Sequence, residues 1–251
     1  MAKICVFVNQ KGGVGKTTSA INIGTYFAIE GKRTLLVDFD PQGNLSSGVG
    51  IYKPTNTIYS LLSEVCTIDQ AIYKTAIPKL HAIPANIELS GAAVELVDAE
   101  NREFFLKNAL SPVFEKYDYI FIDCPPSLGI LTINGLAAAD AVLVPLQCEY
   151  FALEGLTLLL STISRIQDGL NKQLQLGGIF FTMYDSRTRL AQEVVQQVVA
   201  YFKDRVFKTI IPRNVKLSEA PSHGLPISEY DPASTGAKSY QKLALEIMQR
   251  V

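Results

Sequence analysis

The chain has 251 residues, of which 48% are hydrophobic and 19% are charged, and its formal net charge is −1. The hydrophobic content is ample for a sizeable core. The near-neutral charge excludes a chain that is basic over its whole surface, so any contact with nucleic acid must be local.

Strand-like apolar runs alternate with helix-like segments along the whole chain. Strands are predicted at 4–8, 34–38, 80–84, 118–123, 141–145, 176–183 and 206–211. Helices are predicted at 17–27, 57–73 (in short pieces), 87–97, 101–117, 131–139, 151–166, 190–202, 217–220 and 235–250, with a loop at 46–56. This alternation, without repeats or linkers, predicts an α/β fold: one domain over residues 1–251, with a single doubly wound, mostly parallel sheet and helices on both faces.

Two further features bear on the cellular compartment. The cysteines lack CxxC and Cys/His spacing, which predicts buried free thiols rather than disulfides or a metal site; they are Cys5, Cys66, Cys124 and Cys148. The first apolar run is too short for a signal peptide, and the apolar stretch 128–146 is interrupted by polar residues and a proline. We therefore expect a cytoplasmic protein.

A glycine-rich turn directly follows the first predicted strand. The sequence Lys11-Gly-Gly-Val-Gly-Lys-Thr-Thr18, here called the phosphate loop, joins that strand to the helix at 17–27. Glycines let backbone N–H groups close on anionic oxygens, and a helix N-terminus adds partial positive charge. In such a loop Lys16 would reach the β- and γ-phosphates and Thr17 would offer its hydroxyl to Mg²⁺. The sequence therefore predicts a nucleotide site.

The start of the phosphate loop departs from the G-x-x-x-x-G-K-[ST] pattern. Gln10 stands at the position of the first glycine, and Lys11 is a second lysine. If Lys16 takes the phosphates of its own nucleotide, Lys11 is poorly placed for them. We therefore interpret Lys11 as a lysine that serves a nucleotide held by a second copy of the chain.

Aspartates stand where two buried strands end. Asp38 and Asp40 follow the strand at 34–38, and Asp123 ends the strand at 118–123. Ligands in open α/β sheets bind at such strand ends. Hydrolysis of a phosphate needs a metal and a group that orients the attacking water. Asp123 is predicted to hold Mg²⁺ through water and Asp40 to align or deprotonate the attacking water, with metal contact by Asp40 also possible. Asp38 remains an alternative for either role.

Through the phosphate loop and the aspartate-bearing strand ends, the sequence resembles the ParA/Soj family of DNA-partitioning ATPases, which are P-loop NTPases with a deviant Walker A loop. The resemblance rests on residues 11–18, 38–44 and 121–127, and it continues through 149–155, 182–185 and 211–221. It runs nearly end to end. Because the first predicted strand begins near Met1, we expect no N-terminal helix-turn-helix extension of the kind found in larger plasmid members.

The resemblance implies a set of site residues, with ATP and Mg²⁺ as cofactors. It implies that Lys11 reaches the partner's phosphates, that Thr18 touches the α-phosphate, and that hydrolysis depends on Asp40. The implied nucleotide-binding residues are Lys11, Gly12, Gly13, Val14, Gly15, Lys16, Thr17, Thr18, Pro212 and Asn214, of which Pro212 and Asn214 match the stretch that contacts adenine. The implied catalytic residues are Asp40, Lys11 and Lys16, and the implied metal-site residues are Thr17, Asp123 and possibly Asp40.

The resemblance also implies a cycle. An ATP-bound homodimer binds double-stranded DNA without sequence preference and is then nucleoid-associated, and a ParB-like centromere-binding protein stimulates hydrolysis and release. This cycle drives segregation of a chromosome or a plasmid. Since no activating arginine is assignable in the chain, we expect slow intrinsic turnover.

Residues 180–220, here called the basic segment, reverse the charge of the chain. They carry seven basic and four acidic residues, a net charge of +3, which leaves −4 for the remainder. We expect its DNA contacts to be Arg187, Arg189, Arg213 and Lys216. The alternative is an ordinary solvated surface.

Three other outputs stay open. A MinD-like protein would bind membranes through a basic amphipathic C-terminal helix, but the segment 239–251 has only two basic residues and is typical of a packed helix, so we expect no membrane contact. An iron–sulfur protein of the nitrogenase-iron-protein type would need surface cysteines that bridge a dimer. A regulator, for example one acting on a replication initiator, would use the monomer–dimer switch alone.

Overall fold

Seven strands of the computed structural model, which describes residues 1–95 and 99–251, form one sheet in the order β3-β4-β2-β5-β1-β6-β7. The strands are β1 (Lys3–Phe7), β2 (Thr34–Asp38), β3 (Tyr73–Lys74), β4 (Leu80–Ile83), β5 (Tyr119–Asp123), β6 (Ala141–Gln147) and β7 (Gln175–Thr182). Every neighbouring pair is parallel except β3 and β4. The predicted single, mostly parallel sheet is confirmed.

Helices cover both faces of this sheet. They are α1 (Lys16–Ile29), α2 (Asn44–Gly48), α3 (Ile58–Leu62), α4 (Ile68–Ala71), α5 (Leu89–Glu95), α6 (Phe105–Leu110), α7 (Ile130–Ala138), α8 (Ala152–Gly169), α9 (Arg189–Phe202), α10 (Val215–Glu219), α11 (Ile227–Tyr230) and α12 (Thr235–Arg250). Side chains of β1 alternate between two apolar layers, because successive residues of a strand point to opposite faces. One layer packs β1 against α7 and α8, and the other packs it against α1 and α12.

The strand order brings the predicted site together. β1 lies beside β5, and β5 lies beside β2, so their carboxyl ends meet at one edge. In the parallel register Asp123 is level with Phe7 of β1 on one side and with Asp38 of β2 on the other. The phosphate loop after β1 therefore emerges next to the aspartates that end β2 and β5.

Two predicted helices and one predicted loop differ from the structure. The helix expected at 101–117 is α6 flanked by 3-10 turns at Arg102–Phe104 and Ser111–Val113, the second of which contains Pro112. The loop expected at 46–56 begins inside α2, and the helical stretch expected at 57–73 ends in β3. The helix predicted at 87–97 is present as α5, and its last two predicted residues lie outside the described residues.

The strand predicted at 206–211 does not form, and this expectation was wrong. The segment runs beside β7 but bridges it only at Val206, with one further bridge between Tyr184 and Pro212. The carboxylate of Glu246 in α12 accepts the N–H groups of Lys208 and Thr209, at 2.7 and 3.0 Å. Phe207 and Ile211 still donate their N–H groups to the carbonyls of Ile179 and Phe181 in β7, at 2.8 and 2.9 Å, so the contact with Glu246 interrupts the pairing between these two hydrogen bonds.

The last helix, α12, is packed as the sequence indicated. Leu243 and Ile247 are fully buried against α1, and the hydroxyl of Tyr240 lies 3.0 Å from the hydroxyl of Ser19. The apolar face of α12 is therefore packed inside the fold. In the part of the chain that the structure describes, no helix has the length and apolarity to span a membrane.

Candidate nucleotide site

A cleft of about 530 Å³ opens where the phosphate loop meets the neighbouring strand ends. Most residues predicted to bind nucleotide line it, together with Asp40 and one residue predicted to bind DNA. These lining residues are Gly12, Gly13, Gly15, Lys16, Thr17, Thr18, Asp40, Pro212, Arg213 and Asn214. Of the residues predicted to bind nucleotide or metal, Lys11, Val14 and Asp123 lie outside this lining.

The phosphate loop curls around the ammonium group of Lys16. Gly15, directly before α1, has a φ of 86°, a conformation that favours glycine. The buried Lys16 Nζ donates to the carbonyl oxygens of Asn9 and Lys11, at 3.1 and 3.2 Å. Burial lowers the pKa of Lys16, although the carboxylates of Asp123 and Asp40 oppose that shift. The loop thus holds one positive charge beside the acids of the neighbouring strands.

Two residues that the sequence analysis did not single out fix this loop. Asn9 donates from Nδ2 to the carbonyl of Pro145 at 2.8 Å and accepts the N–H of Lys11 at 3.0 Å, which ties the loop to β6. Thr182, the last residue of β7, donates from Oγ1 to the carbonyl of Val14 at 2.8 Å. The sequence offered a signal for both, since Asn9 is the polar residue that ends the first apolar run and Thr182 begins a stretch that matches the family. It did not show that their side chains point to the phosphate loop.

Lys11 has an environment opposite to that of Lys16. Its side chain is half exposed and forms an ion pair with Glu149, which follows β6. The two lysines of the loop therefore face different surroundings, since Lys16 lines the chain's own cleft and Lys11 lines a separate groove beside Glu149 and the start of α8.

The three aspartates divide into three environments. Asp40 lines the cleft, and its Oδ1 accepts the N–H of Gln42 at 3.0 Å. Asp123 is buried, and neither of its oxygens has a hydrogen-bond partner among the described residues. Burial, followed by the charge of Asp38, raises the pKa of Asp123 well above its usual range.

Asp38 does not line the cleft. Its carboxylate accepts hydrogen bonds from the N–H and hydroxyl of Ser46, at 2.8 and 2.6 Å, and from the N–H of Asp40, at 3.3 Å. Burial raises the pKa of Asp38 to about 6, although these hydrogen bonds oppose the shift. The alternative that placed Asp38 on metal or water is not favoured, because its oxygens are already occupied.

A hydrated divalent cation fits the residues present. Among the described residues, no group of three or more His, Cys, Asp or Glu side chains has metal-site geometry, so any cation here would depend on phosphate and water oxygens as well. Neither oxygen of Asp123 has a hydrogen bond of normal geometry among the described residues, although the hydroxyl of Thr17 is close enough, with the charge of Lys16, to oppose the rise in its pKa. Such orphaned acceptors suit metal-bound water.

On the far side of the cleft, Asn214 is held by its neighbours. Its Oδ1 accepts the N–H of Lys216 at 2.8 Å and caps α10, while its Nδ2 donates to the hydroxyl of Thr235 at 2.7 Å. Pro212 lines the same wall. One donor and one acceptor of the Asn214 amide are therefore used within the fold, and the residue itself lines the cleft.

The residues predicted to contact DNA lie near this wall, and three of them are ion-paired. Arg187 pairs with Asp185, Arg189 with Glu193, and Lys216 with Glu219. The guanidinium of Arg187 holds the pKa of Asp185 below its usual range. Arg213 is exposed and lies close enough to lower that pKa further.

The charge of the basic segment is not one surface. Arg187 and Arg189 follow the carboxyl end of β7, whereas Arg205 donates to the carbonyl of Leu176 near the start of β7, at 3.0 Å. Because the segment runs along α9 and back to the other end of the sheet, its net charge of +3 is divided between two ends.

The cysteines are all free, as predicted, with Cys5 and Cys124 buried and Cys66 and Cys148 half-buried. Burial raises the pKa of the Cys124 thiol well above its usual range. An iron–sulfur protein of the type considered above needs this cysteine at the surface, and it is fully buried.

Comparisons with known proteins agree with this geometry. A family model described as an AAA domain matches residues 2–176. The chain is 66% identical over 250 residues to the chromosome-partitioning ATPase Soj of Treponema pallidum, covering 100% of this chain and 98% of that protein. It is 53% identical to the sporulation initiation inhibitor protein Soj of Bacillus subtilis, covering 98% of both chains.

A solved structure is similar over almost the same range. The crystal structure named as cobyrinic acid a,c-diamide synthase of Mycobacterium smegmatis, with bound ADP and magnesium, has a TM-score of 0.87 and 37% identity. The match covers 99% of this chain and 95% of that one. With the predicted loop and sheet confirmed and relatives matched end to end, the chain belongs to the Soj/ParA family of chromosome-partitioning ATPases.

Proposed function

We propose that this protein is a partitioning ATPase whose ATP-bound homodimer binds double-stranded DNA without sequence preference and is released when a ParB-like partner stimulates hydrolysis. The observation that carries the proposal is the cleft itself, where the buried Lys16 faces Asp40 and Asp123 at the meeting point of three strands. A loop that wraps a lysine beside orphaned carboxylate oxygens suits the binding of a metal-bound nucleotide.

In this proposal the backbone of residues 12–15 cradles the phosphates, Lys16 neutralises the β- and γ-phosphates, and Thr18 contacts the α-phosphate. The adenine base lies against the wall that contains Pro212 and Asn214. Thr235 and Lys216 use one donor and one acceptor of the Asn214 amide, and we infer that its second N–H recognises the base together with the shape and backbone of this wall. ATP is the substrate, as ADP is a ligand of the M. smegmatis neighbour.

Hydrolysis in this proposal depends on Asp40. Asp40 lies in the cleft, and among the described residues only its Oδ1 accepts a hydrogen bond, so Oδ2 is an acceptor that it can offer to an attacking water. Thr17 and, through water, Asp123 would hold Mg²⁺, which supplies neutralisation of phosphate charge when it is bound. Asp40 is a further possible metal contact. With no activating arginine assigned, intrinsic turnover is slow.

The proposed dimer is supported by the environment of Lys11. An exposed ion pair contributes at most about 1 kcal/mol, so its pairing with Glu149 is easily exchanged for a phosphate. Lys11 points away from its own cleft, which suits a lysine that completes the site of a second copy. We propose that two subunits face each other across their phosphate loops with both nucleotides between them.

The proposed DNA face consists of Arg187, Arg189, Arg213 and Lys216. Three are held in ion pairs that phosphate oxygens would have to displace, which limits the affinity of one subunit. A dimer doubles the face, and linked sites raise avidity, so DNA binding follows the nucleotide state.

We further propose one domain over residues 1–251, a cytoplasmic protein that is nucleoid-associated with ATP, and a possible second role at a replication initiator.

The test is binding of a long, arbitrary-sequence DNA duplex to wild type, Lys16→Ala and Arg189→Ala, with ATP, ADP or no nucleotide, across a salt series. We expect tight binding only for wild type with ATP. Each phosphate contact contributes a slope of about −0.9 in log K against log salt, so eight contacts from a dimer bound the slope at about −7. Arg189→Ala should flatten it.

Binding that ignores nucleotide, or no binding at all, would overturn the DNA output while leaving the ATPase assignment intact. In that case, ATP-dependent flotation of the protein with anionic lipid vesicles would favour the membrane alternative. The ATPase itself is checked separately by phosphate release from ATP, which Lys16→Ala should abolish.

A further inference from the structure

The carboxylate of Asp38 has no contact with the cleft, although Asp38 ends the strand that leads to Asp40. It is fully buried and accepts three hydrogen bonds, two from Ser46 and one from the backbone N–H of Asp40. One side of Asp38 therefore holds the backbone of the residue on which the proposed hydrolysis depends.

Ser46 completes this arrangement from the other side. Its hydroxyl donates to Asp38 Oδ2 at 2.6 Å and accepts the N–H of Ala85, which follows β4, at 2.9 Å. The residue is 2% exposed and is absent from the cleft lining. A single hydroxyl thus joins the end of β2, the start of α2 and the chain after β4.

A second contact locks the same loop to the same place. Gly43 has a φ of 64°, and a side chain built on it would approach the carbonyl oxygen of Ala85 at 2.9 Å. The N–H of Gly43 donates to the carbonyl of Asp40 at 3.0 Å. Residues 43–46 of the loop therefore lie against the segment after β4, and Ser46 ties them to Asp38 at the start of the loop.

We propose that Ser46 is a positioning residue for hydrolysis, which fixes the Asp40 loop through Asp38 and the backbone of Ala85 without touching nucleotide. The proposal rests on the role proposed above for Asp40. A catalytic group must be held within about 0.5 Å of its productive position, and a misplacement of about 1 Å costs about a hundredfold in rate. Loss of the Ser46 hydroxyl frees the loop that carries Asp40 but leaves the phosphate loop unchanged.

The test compares Ser46→Ala with Ser47→Ala as a matched control. Ser47 is the next residue of α2, and its exposed hydroxyl only donates to the carbonyl of Asn44, at 3.2 Å. Release of labelled phosphate from ATP gives kcat and KM for each full-length variant. We expect Ser46→Ala to lower kcat by about tenfold or more with KM within about twofold of wild type, and Ser47→Ala to change neither by more than about twofold.

Ser46→Cys keeps the shape of the side chain and weakens its hydrogen bonds to Asp38 and from Ala85, so it replaces Ser46→Ala in the test if the alanine variant does not fold. It should lower kcat in the same direction by a smaller factor. Equal losses in kcat and nucleotide affinity, or a wild-type kcat in a folded variant, would overturn the proposal. Asp40→Ala is measured alongside. If it keeps the wild-type kcat, the role of Asp40 fails and the inference fails with it, whereas a stalled Asp40→Ala beside an active Ser46→Ala rejects Ser46 alone.

Discussion

The hydrogen bond from Thr182 to the phosphate loop gives the sharpest prediction about nucleotide binding. Thr182→Val replaces one hydroxyl by a methyl group of nearly the same size and leaves the carbonyl of Val14 without the donor it has at 2.8 Å. Thr182 is 2% exposed and Val14 is 1% exposed, so water does not replace the donor unless the loop moves. Leaving a buried acceptor unpaired costs about 1–3 kcal/mol.

This cost divides between two measurable quantities. If the loop stays in place, the free energy of unfolding falls by about 1–3 kcal/mol, and if the loop turns its carbonyl to water, the cost shifts to the nucleotide Kd at about tenfold per 1.4 kcal/mol. Urea unfolding of the free protein and titration with a non-hydrolysable ATP analogue measure the two. Thr182→Ser, which keeps the donor, is the control. Wild-type values of both quantities in Thr182→Val would refute the reasoning.

Three further predictions concern other parts of the chain. Lys16→Ala removes a charged donor and should raise the ATP Kd roughly ten- to a hundredfold in a calorimetric titration. Ile247→Ala should lower the free energy of unfolding by about 2–5 kcal/mol in urea, whereas Leu245→Ala, on the exposed side of α12, should change it by less than about 1 kcal/mol. Glu149→Gln frees Lys11 and should leave unfolding within about 1 kcal/mol of wild type, and a larger loss would mean that the pair is structural.

The buried parallel strands of the sheet were predictable, whereas its edges were not. β1, β2 and β5 are continuous apolar runs because parallel strands are covered on both faces. β3 has two residues and a single antiparallel neighbour, which leaves no periodic signal. The run at 206–211 has strand composition, but Glu246, about 40 residues later, takes two of its backbone donors and interrupts its pairing with β7. Tertiary contacts override local propensity there.

The sequence located the three aspartates at the site but did not show which of them faces the cleft. Strand ends and their order bring Asp38, Asp40 and Asp123 to one edge, and that much follows from the alternation of elements. Which carboxylate faces the cleft depends on donors from elsewhere, above all the N–H and hydroxyl of Ser46, eight residues after Asp38. A serine inside a segment predicted as a loop carries no pattern that marks it as such a donor.

The distribution of charge in the basic segment was also not predictable from the sequence. A count along the chain treats residues 180–220 as one surface, but a strand end followed by a helix returns the chain to the opposite end of the sheet. Arg187 and Arg189 therefore stand near the nucleotide cleft, while Arg205 stands near the start of β7. Three of the positive side chains near the cleft are paired with acidic residues of the same segment, which the count had only subtracted from its total charge. In the proposed function such a face would bind phosphate weakly as one copy, so we expect tight DNA binding only from two copies side by side, the arrangement that the proposed nucleotide-dependent dimer would supply.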